Sequence, residues 1–151
     1  MSKLFTVLVM LFFHVLDDFR LQGILADMKQ RSWWKEQEKK EKEKQEQEKK
    51  EAQDNKDTQK KQNSELYRHD YIIALFIHSF SWTFMIMLPL AYHQGFSPNG
   101  LFLAVFAANL VIHAVVDHLK ANAKKINLIT DQLIHVAQIV LSAYIVLWLA
   151  A

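Results

Sequence analysis

Apolar residues fill four long stretches of the chain, and the polar residues inside those stretches recur at helical spacing. Residues 71–92 carry one histidine, His78, no Asp, Glu, Lys or Arg, and Pro89 near the far end. That length matches the roughly 20 residues a helix needs to cross a bilayer core. Residues 96–119 and 126–151 read the same way, with a carboxylate near one end of each (Asp117, Asp131). A first stretch, 1–21, is long enough only if His14 and Asp18 belong to the helix, because its uncharged run alone is too short. Lys3 ahead of the run Leu4 to Phe13 imitates a signal peptide, but Asp17, Asp18, Phe19 and Arg20 follow where a small-residue cleavage pattern would stand. The expectation is an all-α, polytopic membrane protein: a single four-helix bundle over 1–151 with four transmembrane helices.

The stretches are interrupted by one segment of opposite character. Residues 35–63 consist almost entirely of Lys, Glu, Gln, Asp and Asn, so a mean hydropathy near zero averages two unlike regions. Glu/Lys pairs three and four residues apart, such as Glu38/Lys42 and Glu46/Lys50, each support an exposed helix by a few tenths of a kcal/mol. Without an apolar stripe this cannot be a coiled-coil strand. It is a solvated helical arm or partly disordered, with the second half, from Asp54 to Ser64, more prone to fray; it serves as a linker or as the contact for a protein partner.

Lys29, Arg31, Lys35 and the basic residues of the insert lie between the first two stretches, and Lys120, Lys124 and Lys125 between the last two. The remaining loop, residues 93–100, has no Lys or Arg. The positive-inside rule then puts both charged loops in the cytoplasm and both termini outside, as expected for a bacterial inner membrane protein.

Within this layout a histidine and an aspartate stand four residues apart three times: His14/Asp18, His113/Asp117 and Asp131/His135. That spacing places both side chains of a pair on one helix face. At about 1.5 Å rise per residue, each Asp falls one turn nearer the cytoplasm than its His, and His78 falls level with the other three histidines. Ionisable groups in lipid are costly and mark function by default. Asn109, Gln22 and Gln138 extend the same stripes.

Composition narrows the chemistry. A net charge of +2, with basic residues interleaved among acids, gives no nucleic-acid footprint. No cysteine is present, which excludes disulfides, thiolate zinc sites, iron–sulfur clusters and cysteine nucleophiles. Imidazole with carboxylate is a ligand set for Zn, Mn or Fe. His14, His78, His113 and His135 are the candidate ligands, and Asp18, Asp117 and Asp131 the candidate catalytic carboxylates. Asp17, Gln22, Asn109, Lys120 and Gln132 are candidates for substrate contact or support. A bound divalent cation would activate water, an unligated Asp would act as base, and Lys120 at headgroup level would hold a lipid phosphate. The competing reading is that each Asp orients its own His and the pairs merely fix helix packing. His118, a hundred degrees from the His113 face, and His93 are expected to be solvated or interfacial. Trp33 and Trp34 suit an interfacial anchor, and Trp82 a packing or lipid-facing role.

Four motifs, His14-x-x-x-Asp18-Phe19-x-Leu21-Gln22, the lone His78, His113-x-x-x-Asp117-x-x-Lys120 and Asp131-Gln132-x-x-His135, resemble domain-of-unknown-function family 3307. These are small integral membrane proteins of bacteria and their viruses. The likeness spans all four stretches in order and implies the helical layout and the choice of residues, but no reaction; the insert is longer than the family's usual link.

Function then divides three ways. The leading expectation is metal-dependent hydrolysis of a lipid-like substrate. The second is a small ion or proton channel or transporter, built by homo-oligomerisation; it needs a continuous polar path, and Thr83 and Ser142 are among the few polar residues in the outward halves. The third is a non-catalytic membrane modulator acting through residues 35–63.

Overall fold

The computed structural model describes residues 2–21, 23–51 and 69–149. Every regular element among them is helical. Helix α1 covers Lys3–Leu16 and continues as a π turn over Asp17–Leu21; α2, Leu25–Met28, and α3, Arg31–Glu51, follow. Then come α4, Asp70–His93, α5, Gly100–Ala121, and α6, Leu128–Tyr144, which ends in a second π turn over Ile145–Leu149. Three helices are long and apolar enough to cross a membrane: Asp70–His93, Gly100–Ala121 and Leu128–Leu149. They fit an integral membrane protein. Helices α1, α4, α5 and α6 pack in a closed ring, each against two neighbours.

Helix ends follow local chemistry. Ser2, Asn99 and Asn127 cap α1, α5 and α6, each side-chain oxygen accepting the backbone N–H three residues on. The third apolar stretch becomes helical at Gly100, later than its start at Phe96, because residues 94–96 form the closing turn of α4. Gly95 and Phe96 both have left-handed backbone, at φ 64° and 56°, and the Phe96 N–H bonds back to the Ala91 carbonyl at 2.8 Å. The fourth likewise begins at Leu128, after its Asn127 cap.

The bundle is patterned inside out. On α1 the buried positions are Thr6, Met10 and His14, whereas Leu4, Phe5, Leu8, Phe12 and Val15 are each more than half exposed. On α5 and α6 the buried set includes Asn109, His113, Asp117, Asp131, His135, Gln138 and Ser142, with Leu103, Val111, Leu133 and Leu141 outside. Polar residues inward and large apolar residues outward make sense only where the surroundings are themselves apolar. Toward the loop at residues 93–100 the interior turns apolar, with Ile86, Met87, Leu90, Phe102, Ile139, Val146 and Leu147 in one buried cluster.

The first part of the charged insert is helical through Glu51, with the Lys42 ammonium donating to Glu38 at 2.6 Å and Lys40 pairing with Glu36 at 2.9 Å. The Lys50 side chain and residues 52–68 lie outside the described residues.

A buried histidine and aspartate cluster

Each helix of the ring contributes to one polar centre. The ring centroids of His113 and His135 lie 4.2 Å apart, His78 and His113 5.1 Å, and His14 and His135 5.8 Å. All four histidines are at most 2% exposed. The level arrangement expected from helical rise is thus realised as a contiguous set of rings.

The carboxylates bridge helices as well as serving their own histidines. Asp117 Oδ2 lies 3.2 Å from Nε2 of His78 on α4, closer than the 3.8 Å to Nε2 of His113 on its own helix. Its other oxygen faces His135 Nε2 on α6 at 3.9 Å. Asp131 Oδ1 lies 3.4 Å from His135 Nε2, and Asp18 contacts both His14 Nδ1 at 3.4 Å and His78 Nε2 at 3.7 Å. A cluster built only of private i, i+4 pairs would lack these cross-helix contacts.

The π turn after α1 explains how two adjacent aspartates both point inward. Its i→i+5 bonding advances side chains by a smaller angle per residue than an α-helix, so Asp17 joins Asp18 on the inner face. Asp17 Oδ1 accepts the Ser81 hydroxyl at 2.7 Å, and its Oδ2 lies 3.9 Å from His78 Nδ1.

Two lysines enter from the charged-loop side. Lys29 donates to Asp117 Oδ2 at 2.6 Å, with 9% of its side chain exposed, and Lys120 donates to Asp131 Oδ2 at 2.5 Å. Lys120, expected to hold a lipid phosphate, is thus engaged by a carboxylate. Gln132 donates to both Asp18 and Asp131. The described cluster holds four carboxylates (Asp17, Asp18, Asp117, Asp131) and two ammonium groups; with neutral imidazoles it sums to −2.

Hydrogen-bond donors whose identity is fixed set the histidine tautomers. The indole of Trp82 can only donate, and it donates to His14 Nδ1 at 2.9 Å, so the neutral His14 ring carries its proton on Nε2. On α6, Gln138 turns its amide N–H toward the Asn109 carbonyl groups, at 3.3 and 3.2 Å, and its oxygen toward His135 Nδ1 at 3.1 Å. Nδ1 of His135 is therefore the donor, and the neutral ring presents the Nε2 lone pair to Asp117 and Asp131. Asn109 continues this chain to the Ser142 hydroxyl at 2.7 Å.

Two sets of side chains bring ligand atoms within reach of one cation: Asp18, His78 and His113, and His113, Asp117 and His135. His14 belongs to neither, its Nδ1 being taken by Trp82. A third set follows from the distances above: His78 Nε2, His113 Nε2 and Asp117 Oδ2 form a triangle with sides 3.2, 3.2 and 3.8 Å. A point in its plane lies about 2.0 Å from all three atoms, the length of a bond from zinc to imidazole nitrogen or carboxylate oxygen.

Of the candidate ligands, catalytic carboxylates and supporting residues named in the sequence, Gln22 lies outside the described residues, and the remainder reach the cluster or its hydrogen-bonded extension. Three contributors had no such assignment. Trp82 is fully buried, and besides bonding His14 it stacks on His113 with centroids 4.1 Å apart. Lys29 stands apart from the run that starts at Lys35, the one hint that it differs from that run. Asn122 clamps the chain beside it: its side-chain oxygen accepts from the Arg31 N–H at 2.8 Å and its amide donates to the Lys29 carbonyl at 3.0 Å. Arg31 also reaches the Tyr71 hydroxyl, and Trp34 donates to the Met28 carbonyl at 2.6 Å. His118 is half-buried beside Tyr71.

No family model, curated protein or solved structure matches the chain. The likeness to domain-of-unknown-function family 3307 therefore rests on the sequence motifs.

Proposed function

We propose that the protein is a four-span membrane protein that binds a divalent cation between His78, His113 and Asp117 and uses it to hydrolyse a lipid-like substrate. The observation that carries the reading is the triangle of Nε2, Nε2 and Oδ2, fully buried and of metal-bond dimensions. The Nε2 atoms of His78 and His113, 3.2 Å apart, can share the N–H proton of one neutral ring or hold a cation, and the negative sum of the cluster supports the cation. Asp17 Oδ2 lies 3.9 Å from Nδ1 of His78, on the side where metal-bound histidines usually have a carboxylate.

The apolar outer face of α1 supports counting it as the fourth span, and the positive-inside rule applied to the lysines supports a cluster toward the cytoplasmic side of an inner membrane with both termini outside. A cation held by His78, His113 and Asp117 would supply Lewis acidity, polarising a carbonyl or phosphoryl oxygen and lowering the pKa of a water. The water oxygen bonds to the acyl carbon or phosphorus, and its proton passes to Asp18. The alcohol then leaves with its bonding electron pair and takes that proton. Substrates that live in the bilayer suit a centre at this depth.

Transport is a second reading, favoured by the hydrogen-bonded thread from His135 through Gln138 and Asn109 to Ser142, which joins these polar residues into one continuous chain. Beyond it the apolar cluster around Leu90, Phe102, Val146 and Leu147 opposes a continuous path.

Elemental mass spectrometry on protein purified in mild detergent tests the metal. We expect Zn, Mn or Fe near stoichiometry, and its loss in His78→Ala/His113→Ala. Metal-free protein after incubation with each cation and desalting would refute the reading.

A further inference from the structure

His135 faces an arrangement that the cation at His78 and His113 leaves unresolved. Its Nδ1 is committed as a donor to Gln138, so the neutral ring aims a lone pair at two carboxylate oxygens, Asp131 Oδ1 at 3.4 Å and Asp117 Oδ1 at 3.9 Å. Lone pair against anion is repulsive. Neither His135 Nε2 nor Asp131 Oδ1 has a hydrogen-bond partner, and both residues are fully buried. The other oxygen of Asp131 is already occupied, by Lys120 at 2.5 Å and Gln132 at 3.1 Å, so Oδ1 is held turned toward His135. Lys29 orients Asp117 by donating to Oδ2, the oxygen that also faces His78 and His113, and Oδ1 is on the His135 side.

We infer that a second divalent cation binds between His135 Nε2, Asp131 Oδ1 and Asp117 Oδ1, making Asp117 a bridging carboxylate in a two-metal centre. This rests on the first cation proposed above. Two ligands each about 2.1 Å from one ion at a near-tetrahedral angle lie about 3.4 Å apart, as His135 Nε2 and Asp131 Oδ1 do. The Asp117 carboxylate then spans the two ions through its separate oxygens, the arrangement in two-metal sites with ions roughly 3.5–4 Å apart. Gln138 acts as a positioning residue, because its carbonyl holds the His135 proton on Nδ1 and keeps Nε2 available.

The rival account is an imidazolium: a proton on Nε2 would also satisfy both carboxylates. Manganese loading separates the two. Full-length protein in detergent is incubated with Mn²⁺ and desalted; metal per chain is then counted and the electron paramagnetic resonance spectrum recorded. Two Mn per chain with a spin-coupled spectrum in the wild type, and one Mn with an uncoupled signal in Asp131→Asn, are the expected results. One uncoupled Mn per chain in the wild type would overturn the second site and leave the first standing. No bound Mn, Zn or Fe would remove both. The wild-type spectrum decides the matter even if Asp131→Asn fails to fold.

Discussion

Replacing Lys29 with Met tests whether the segment between α1 and α3 is part of the bundle interior. The pair it breaks is close, 2.6 Å, and dry, with side-chain exposures of 9% for Lys29 and 3% for Asp117. At an effective dielectric of about 20 the gross attraction at this distance is about 6 kcal/mol. Desolvation of both groups cancels much of it, yet removal of one partner strands the other charge, which costs about 3–5 kcal/mol. Lys29→Met should therefore destabilise the fold by that amount, and Asp117→Asn by a similar one. The double variant should fall short of the sum by about 2–3 kcal/mol, because the second change removes the charge that the first left unpaired. Unfolding in mixed micelles, followed by circular dichroism, measures all four corners of the cycle. A Lys29→Met variant within about 0.5 kcal/mol of wild type, or an additive cycle, would mean that Lys29 does not reach Asp117 in the membrane.

Trp82→Phe keeps an aromatic ring but removes the donor to His14, and is expected to cost about 1–2 kcal/mol. Nitrogen chemical shifts should then show His14 no longer confined to the Nε2–H tautomer, and an unchanged spectrum would refute the assignment. Asn122→Ala should cost about 1–2 kcal/mol and speed amide exchange at Arg31 while leaving α6 unaffected. Uniform acceleration across the bundle would contradict a local clamp. Replacing residues 36–63 with a short linker should preserve the helices of the bundle and metal binding, losing only the helical signal of the deleted part of α3, since the contacts of Lys29, Arg31 and Trp34 all precede the cut. Loss of either would make the arm part of the fold.

The helices and their inward faces were legible because period and chemistry agreed. Polar residues at spacings of four within apolar stretches can point only to the interior when the exterior is lipid. His78 was placed from depth alone, and the structure puts it against His113. What stayed hidden was long-range or ambiguous in type. Lys29 meets a partner 88 positions away, and a lysine between a hydrophobic stretch and a charged run carries no mark of burial. Trp82 reads equally as lipid-facing or packing, and its role follows only from a nitrogen within 2.9 Å of His14. The paired entry of Asp17 and Asp18 needed a π turn, which spacing rules built on the α-helix do not anticipate.

The separation in sequence between α1 and its partners bears on how the chain is made. On the four-span reading, α1 carries His14, Asp17 and Asp18 into the membrane, yet Ser81, which bonds Asp17, lies 64 positions later. At about 5–20 residues per second, translation supplies that partner only after roughly 3–13 s. During that interval Asp17 has not yet met the Ser81 hydroxyl that it accepts. The first helix should therefore stay at the insertion machinery, or in the headgroup region, until α4 emerges. The length of the charged arm thus acts as a timer for biogenesis, fixing how long the first helix waits before the bundle can close.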